Sequence, residues 1–326
     1  MKNFSHSARN SVTTMYIYPM KKIIIVCLCF ITVQAFAQLP ETDIYLFDIK
    51  RSSKGLNVLT PKIISTTSGY NNQPYFSPDE KYLYFVSSVD STNTEIYRYN
   101  LKRKKSRRIT HTHEPEFSPR YTPGMDGLSY VSVERDKTTQ HFYVSSLKGK
   151  KPTLIVPELK TIGYYEWLSG NEFLSFELPE PFYFVRHNIA LGRTDTLAQH
   201  IGRTFYNLRT KNKIVFVDKS DSLHWKLRTM APENLRVSRK KTGTIENPIL
   251  SETLPGEEDY CFMQDGSLLM GHDGALFYKK NPFRHPESAW IQLADLKSFG
   301  IKQFYRMAVS PDNTKMAIVV YKGTKP

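Results

Sequence analysis

The sequence predicts an all-β protein: a six-bladed β-propeller of four-stranded antiparallel blades, closed by the N-terminal strands pairing with the last blade. Three observations carry this expectation: a strand-turn-strand unit that recurs along the chain, a period of about 40 to 55 residues, and a last copy with only half its strands. Helical periodicity of any length is missing after the first 40 residues.

The 326-residue chain at about 150 residues per domain allows one or two domains. Its 40% apolar and 13% aromatic content supports a sizeable core, and a mean hydropathy of −0.44 excludes a polytopic membrane protein. Residues 20–37 read MKKIIIVCLCFITVQAFA. Lys21 and Lys22 form a positive start, residues 23–33 an apolar run too short to cross a bilayer, and Ala35-Phe36-Ala37 a small-x-small cleavage site. Residues 1–37 are thus expected to be a leader and signal peptide, with Met20 as the natural start and cleavage after Ala37. Residues 38–326 then form one propeller domain. Cys27 and Cys29 lack the preceding small residue that lipid attachment needs, so no anchor is expected. Removal of Lys2, Arg9, Lys21 and Lys22, with no acidic residue, lowers the formal charge from +14 to +10. It also leaves Cys261 as the one remaining cysteine, read as a small buried hydrophobe on a strand.

The clearest repeat, QPYFSPDEKYLYFVSS at 73–88, reads as strand 74–76, turn 77–80 and strand 82–87, followed by strands 95–100 and 107–110. A second copy begins EPEFSPRYTPGMDGLSYVSVE at 114. Weaker copies start at Tyr164, Phe205, Asp259 and Met307. The anchors Phe76, Phe117, Trp167, Asn207, Phe262 and Val309 lie 41, 50, 40, 55 and 47 residues apart. Because the sixth copy stops after two strands, residues 42–60, which read strand, basic turn, strand, are expected to complete its blade and abolish the open sheet edge.

Gln73-Pro74-Tyr75-Phe76-Ser77-Pro78-Asp79, Phe117-Ser118-Pro119 and Val309-Ser310-Pro311-Asp312, each ahead of an apolar strand, resemble the WD40-like PD40 repeat of the TolB family of bacterial propellers. The proline in each, with the aspartate that follows it in the first and third, suits a tight turn. The resemblance covers residues 42–326 and implies a six-bladed propeller exported to the bacterial envelope, periplasmic or secreted. The α/β domain that precedes the TolB propeller has no counterpart, since only residues 38–41 separate the expected cleavage from the first strand.

Chemical signatures are sparse. The chain has no G-x-S-x-G elbow, phosphate loop, dinucleotide fingerprint or C-x-x-C pair, and no cofactor is expected. His111 and His113 would point the same way on an extended segment and could approach one metal with Glu114, or remain solvated loop residues. His187, His200, His224 and His272 stand apart and suit ordinary hydrogen-bonded roles. Glu177 with Glu180, and Glu257-Glu258-Asp259, are carboxylate groups suited either to acid-base work or to solvated loops.

Blade logic places the loops that lead into the innermost strands on one face. There Asn72, Gln73, Glu114, Tyr165, Arg203, Glu258 and Arg306 are expected to ring the channel mouth and orient a polar ligand. Arg203 and Arg306 either present paired donors to an acid or tie blades together through Glu114 or Glu258. The opposite face gathers basic turns: Lys102, Arg103, Lys104 and Lys105; Lys148 to Lys151; Arg239 to Lys241; and Lys50, Arg51 and Lys54. These suit an anionic surface or serve solubility, and export disfavours nucleic acid. Two functions follow as expectations: a non-catalytic envelope platform for a partner protein or small polar ligand, or a periplasmic hydrolase or lyase acting on a glycan or peptide at the same mouth.

Overall fold

Apolar runs such as Tyr82–Ser88 and Lys315–Tyr321 are buried along almost their whole length, which only a strand covered on both faces requires. The structure, a computed structural model, describes residues 39–52, 55–90, 92–232 and 247–323. Residues 1–37, expected to be a leader and signal peptide, lie outside them, as do Lys54 and Arg239 to Lys241.

The described residues open with β1 (Thr42–Ser52), β2 (Gly55–Val58) and β3 (Lys62–Ile63). Blade 1 holds β4 (Asn71–Phe76), β5 (Tyr82–Ser88), β6 (Thr94–Asn100) and β7 (Lys105–Arg108). Blade 2 holds β8 (Glu116–Thr122), β9 (Gly127–Val133), β10 (Gln140–Ser146) and β11 (Thr153–Leu154). Blade 3 follows with β12 (Ile162–Ser169), β13 (Glu172–Glu177), β14 (Tyr183–Asn188) and β15 (Arg193–Gln199). Blade 4 has β16 (Ile201–Leu208), β17 (Lys213–Asp218), β18 (Lys226–Met230) and β19 (Ile249–Glu252). In blade 5 come β20 (Tyr260–Phe262), β21 (Leu268–His272), β22 (Ala275–Lys279) and β23 (Ile291–Asp295). Blade 6 is built from both ends of the chain: β24 (Phe304–Val309) and β25 (Lys315–Tyr321) pair outward onto β1 and then β2.

Closure is therefore as the half-copy required. Seven consecutive residue pairs, from Thr42 opposite Tyr321 to Asp48 opposite Lys315, join β1 to β25. The outermost position is shared, since β2 covers Ile49 to Ser52 while β3 covers Tyr45 and Leu46.

Apolar residues concentrate between blades rather than at one centre. Among the described residues six clusters form, one for each pair of neighbouring blades, including Leu83 and Phe85 against Ile44 and Leu46, and Phe184 against Phe205 and Phe216. Cys261 belongs to the cluster joining blades 5 and 6, where burial pushes its thiol pKa up. Two of the outermost strands are charged, β7 reading KSRR and β15 RTDTLAQ, which suits edges that must not recruit another strand.

The Ser-Pro-Asp signature has a local cause. Ser77 Oγ donates to Asp79 Oδ1 (2.6 Å) and accepts from Tyr82 N (3.0 Å), and Ser310 and Asp312 repeat this arrangement with Lys315 N. Ser118-Pro119 differs. It sits in the middle of β8, where the register skips from Phe117 to Arg120 and Ser118 has φ +56°. Its equivalent in blade 1 is Gln73-Pro74, a bulge of the same kind. A proline cannot donate to the ladder, so here it accompanies a bulge instead of a turn.

Between blades 1 and 2, Glu116 is 1% exposed and faces the equally buried Glu95, whose carboxylate takes Arg108 at 2.6 Å. Burial, reinforced by Glu95, pushes the Glu116 carboxyl up to about 8 despite bonds from Thr110 and Thr112. The folded state then holds a proton that the unfolded state has released above about 4.5. Stability is expected to be fully present below that value and to be lost as pH rises towards 8, at about 1.4 kcal/mol per unit of displacement. Urea midpoints measured across this window should fall with pH in the native protein and stay flatter in Glu116→Gln.

Candidate functional site: the axial channel

Each innermost strand except β20 carries a register shift near its start: β4 at Asn72/Tyr75, β8 at Phe117/Arg120, β12 at Ile162/Tyr164, β16 at Ile201/Phe205 and β24 at Tyr305/Met307. Such bulges turn a side chain out of the sheet. At three of them a non-glycine residue has positive φ: Gln73 (+54°), Ser118 (+56°) and Arg306 (+34°). At β16 the bulge contains Gly202, where an added Cβ would lie 2.8 Å from Val217 Cβ and 2.9 Å from Glu258 Oε2, so only glycine permits this approach.

These residues meet on the propeller axis. Arg203 of blade 4 forms a two-bonded pair with Asp259, which leads into blade 5, through Nε (3.2 Å) and Nη2, and its Nη1 lies 3.2 Å from Glu258 Oε1. Thr204 Oγ1 donates to the same Asp259 carboxylate (3.0 Å), and Lys219 reaches Glu258 at 3.4 Å. Arg306 of blade 6 stands 4.0 Å from Asp259 and crosses the axis to donate to the Tyr164 hydroxyl of blade 3, the blade opposite. Its guanidinium lies 4.8 Å from the Tyr164 ring centre, a cation-π geometry. Asn72 donates to Tyr305 OH and accepts from Arg306 Nη1 at 3.5 Å, while Gln73 Oε1 accepts from Ser118 N at 2.7 Å. A crossbar of hydrogen-bonded side chains thus spans the channel.

Burial alone would raise the Asp259 carboxyl, but Arg203 and Arg306 outweigh it and hold it below the usual range. Deeper along the axis Arg120 pairs with Glu166 at 2.9 Å, and burial pushes the Tyr75 phenol up to about 12.

Beyond the crossbar lies a cavity of about 650 Å3. Its wall includes Tyr75, Arg120, Tyr206 and Phe262, and it extends to the turns between first and second strands at Pro78, Arg209 to Lys211, Gly266, Pro311 and Asn313. A further space of about 380 Å3 adjoins it, sharing Tyr75, Pro78, Arg120 and Arg209. The cavity therefore reaches the turn face, whereas the sequence pointed to the face of the lead-in loops.

The seven expected mouth residues divide. Gln73, Arg203 and Arg306 line the cavity and lie within strands, not loops; Asn72 and Glu258 stand behind them as hydrogen-bond partners. Tyr165 touches the wall but is 1% exposed, its hydroxyl 2.8 Å from Ser118 O and 2.9 Å from Ser129 Oγ in the packing between blades 2 and 3. Glu114 takes Arg135 at 3.0 Å on the lead-in face, outside the cavity wall. His111 and His113 are exposed, and among the described residues no three His, Cys, Asp or Glu side chains gather as a metal site. Glu177 and Ser175 both face the same nitrogen of buried His187, Nε2, at 2.8 and 2.9 Å. A carboxylate-imidazole-hydroxyl relay needs the two different ring nitrogens, so this cluster is a packed polar network, and Glu180 is exposed beside it.

Arg120, Glu166, Tyr75 and Tyr206 were not singled out from sequence. The available signal is a lone charged residue in an innermost strand, as Glu166, Arg203 and Arg306 are, whereas β8 carries Arg120 together with Glu116 and gives a weaker signal.

No family model matches the chain, and no curated protein is significantly similar in sequence. Solved structures are similar in fold. A candidate TolB from Agrobacterium tumefaciens superposes with a TM-score of 0.62 at 13% identity, over 87% of this chain and 99% of the other. The chain has a TolB-like propeller fold. TolB from Acinetobacter baumannii gives 0.54 at 13% identity over 87% of this chain and 65% of its own. An oligogalacturonate lyase in complex with manganese gives 0.54 at 14% identity over 82% of both. At these identities the TolB-like likeness is one of architecture, and the channel side chains stand on their own geometry.

Asp259 is the one carboxylate on the cavity wall that both crossbar arginines share. Asp259→Ala leaves two largely buried guanidiniums without it and should cost about 3–5 kcal/mol of stability in urea denaturation. A loss under about 1 kcal/mol would contradict the bracing role.

Proposed function

We propose that this protein is a non-catalytic binding platform of the bacterial envelope, exported by residues 1–37, that holds a polar ligand or partner segment in its axial channel. The observation that carries this reading is the wiring of the wall. Arg203, Asp259, Glu258, Arg120 and Glu166 are committed to one another across blades, so they fix the cavity's shape. Gln73, Arg203 and Arg306 would contact the ligand directly, with Asn72, Glu258 and Tyr165 supporting them. Exposed Lys102 to Lys105 supply a contact for an anionic surface. Among the described residues no helix is long and apolar enough to cross a membrane.

The competing reading, a hydrolase or lyase acting on a glycan or peptide, draws on the fold shared with oligogalacturonate lyases. Convergence of His113, Glu114 and Glu258 on the cavity would favour it. His113 is exposed, and Glu114 and Glu258 are taken up by Arg135 and by Arg203 with Lys219.

Thr210 and Gln264 are exposed on the rim of the cavity. In crosslinking capture from periplasmic extract, the wild type should retain an envelope component that the double variant Thr210→Trp/Gln264→Trp loses, and neither should turn over oligogalacturonate. Turnover by the wild type would move the assignment to the lyase, and capture indifferent to the blocked rim would remove the channel from the account.

A further inference from the structure

Five cations and one carboxylate reach the cavity wall: Arg120, Arg203, Arg209, Lys211 and Arg306 against Asp259. Two of the cations have their own counter-ions, Arg120 through Glu166 and Arg203 through Asp259 and Glu258. Arg306 does not. The carboxylate facing it, Asp259, lies 4.0 Å away and is already bonded twice by Arg203; its other partners are the neutral Tyr164 hydroxyl and Asn72. Yet the Arg306 side chain is only 13% exposed, and a guanidinium removed from water calls for an anion of its own.

The open end of the cavity is positive as well. Arg209 and Lys211 are exposed on the β16–β17 turn that forms part of its rim. In a four-stranded antiparallel blade the first and third turns lie at the same end, so this is also the end that carries the basic turns Lys102 to Lys105 and Lys148 to Lys151. An anion approaching this face is drawn towards the mouth. Inside, Tyr75, Tyr206 and Phe262 supply flat apolar wall, and about 650 Å3 suits a small molecule.

Resting on the reading that the channel binds a ligand, we infer that this ligand is a small organic anion, a carboxylate or phosphate on a flat or apolar body. It enters from the basic face and sets its acid group on Arg306. Arg306 supplies the planar fork that matches either oxyanion. Arg209 and Lys211 act on its approach, and the tyrosines and Phe262 pack its body.

Calorimetric titration at constant ionic strength with benzoate, phenyl phosphate and the neutral benzyl alcohol tests this. At least one anion should bind saturably at one site per chain, with benzyl alcohol far weaker, and the preferred anion identifies the head group. Arg306→Gln should lower its affinity at least about tenfold. Because Arg306 also braces Tyr164, a second variant guards against misfolding: Lys211→Glu, at an exposed position, should weaken the anion several-fold without moving the melting temperature. The inference is overturned if neither anion binds, if benzyl alcohol binds as well as they do, or if both variants match the wild type. Rim-dependent capture of an envelope component with no anion binding would leave the platform standing and remove only the anionic ligand.

Discussion

A ring of blades has no stable intermediate size: each blade buries its apolar faces only when both neighbours are present. The pairing of β1 with β25 is what makes this possible, because it converts two half-blades at opposite ends of the sequence into the sixth blade. Ile44, Leu46 and Phe47 of β1 then fill two of the six inter-blade clusters at once, the first two residues facing blade 1 and Phe47 facing blade 5. Without that strand the ring would present two open edges and two uncovered apolar faces.

Closure also sets the channel. Six innermost strands are held at a fixed distance from the axis, and their bulges put polar side chains where apolar packing ends. The result is a crossbar in which Arg203, Asp259, Arg306 and Tyr164 link blades 3 to 6, including two on opposite sides of the ring. Buried ion pairs of this kind add little net stability compared with apolar packing, but they penalise any arrangement that separates them. They therefore fix the cavity's geometry. The same network leaves Arg306 without a carboxylate of its own, which joins the structural role of the channel to its capacity for a ligand.

Much of the architecture is legible in the sequence because its causes are local or periodic. The Ser-Pro-Asp turns recur because Ser77 and Ser310 each close the same hydrogen-bonded loop with the aspartate two residues on, and the missing half-blade at the end has its complement at residues 42–60. The channel is harder to read. A bulge shifts the inward-facing register of a strand, so counting alternate residues from Phe117 does not lead to Arg120, and Ser118-Pro119 passes for a turn when it is a bulge. Gln73, Arg203 and Arg306 were accessible because they are polar residues at the start of an innermost strand. Tyr165 has the same sequence context but rotates into the interface between blades, where Ser118 and Ser129 take its hydroxyl. The face to which the cavity extends depends on how far the crossbar side chains reach across the axis, a property of the closed ring and not of any single segment.

Native-state hydrogen exchange along β1 tests the central claim most directly, because a strand near the start of a chain ordinarily frays. If ring closure holds the molecule together, the β1 amides bonded to β25 exchange only through global unfolding, with the same free energy as amides of the central strands β5 and β13. Exchange of those β1 amides through local opening, several kcal/mol easier than the core, would contradict the account.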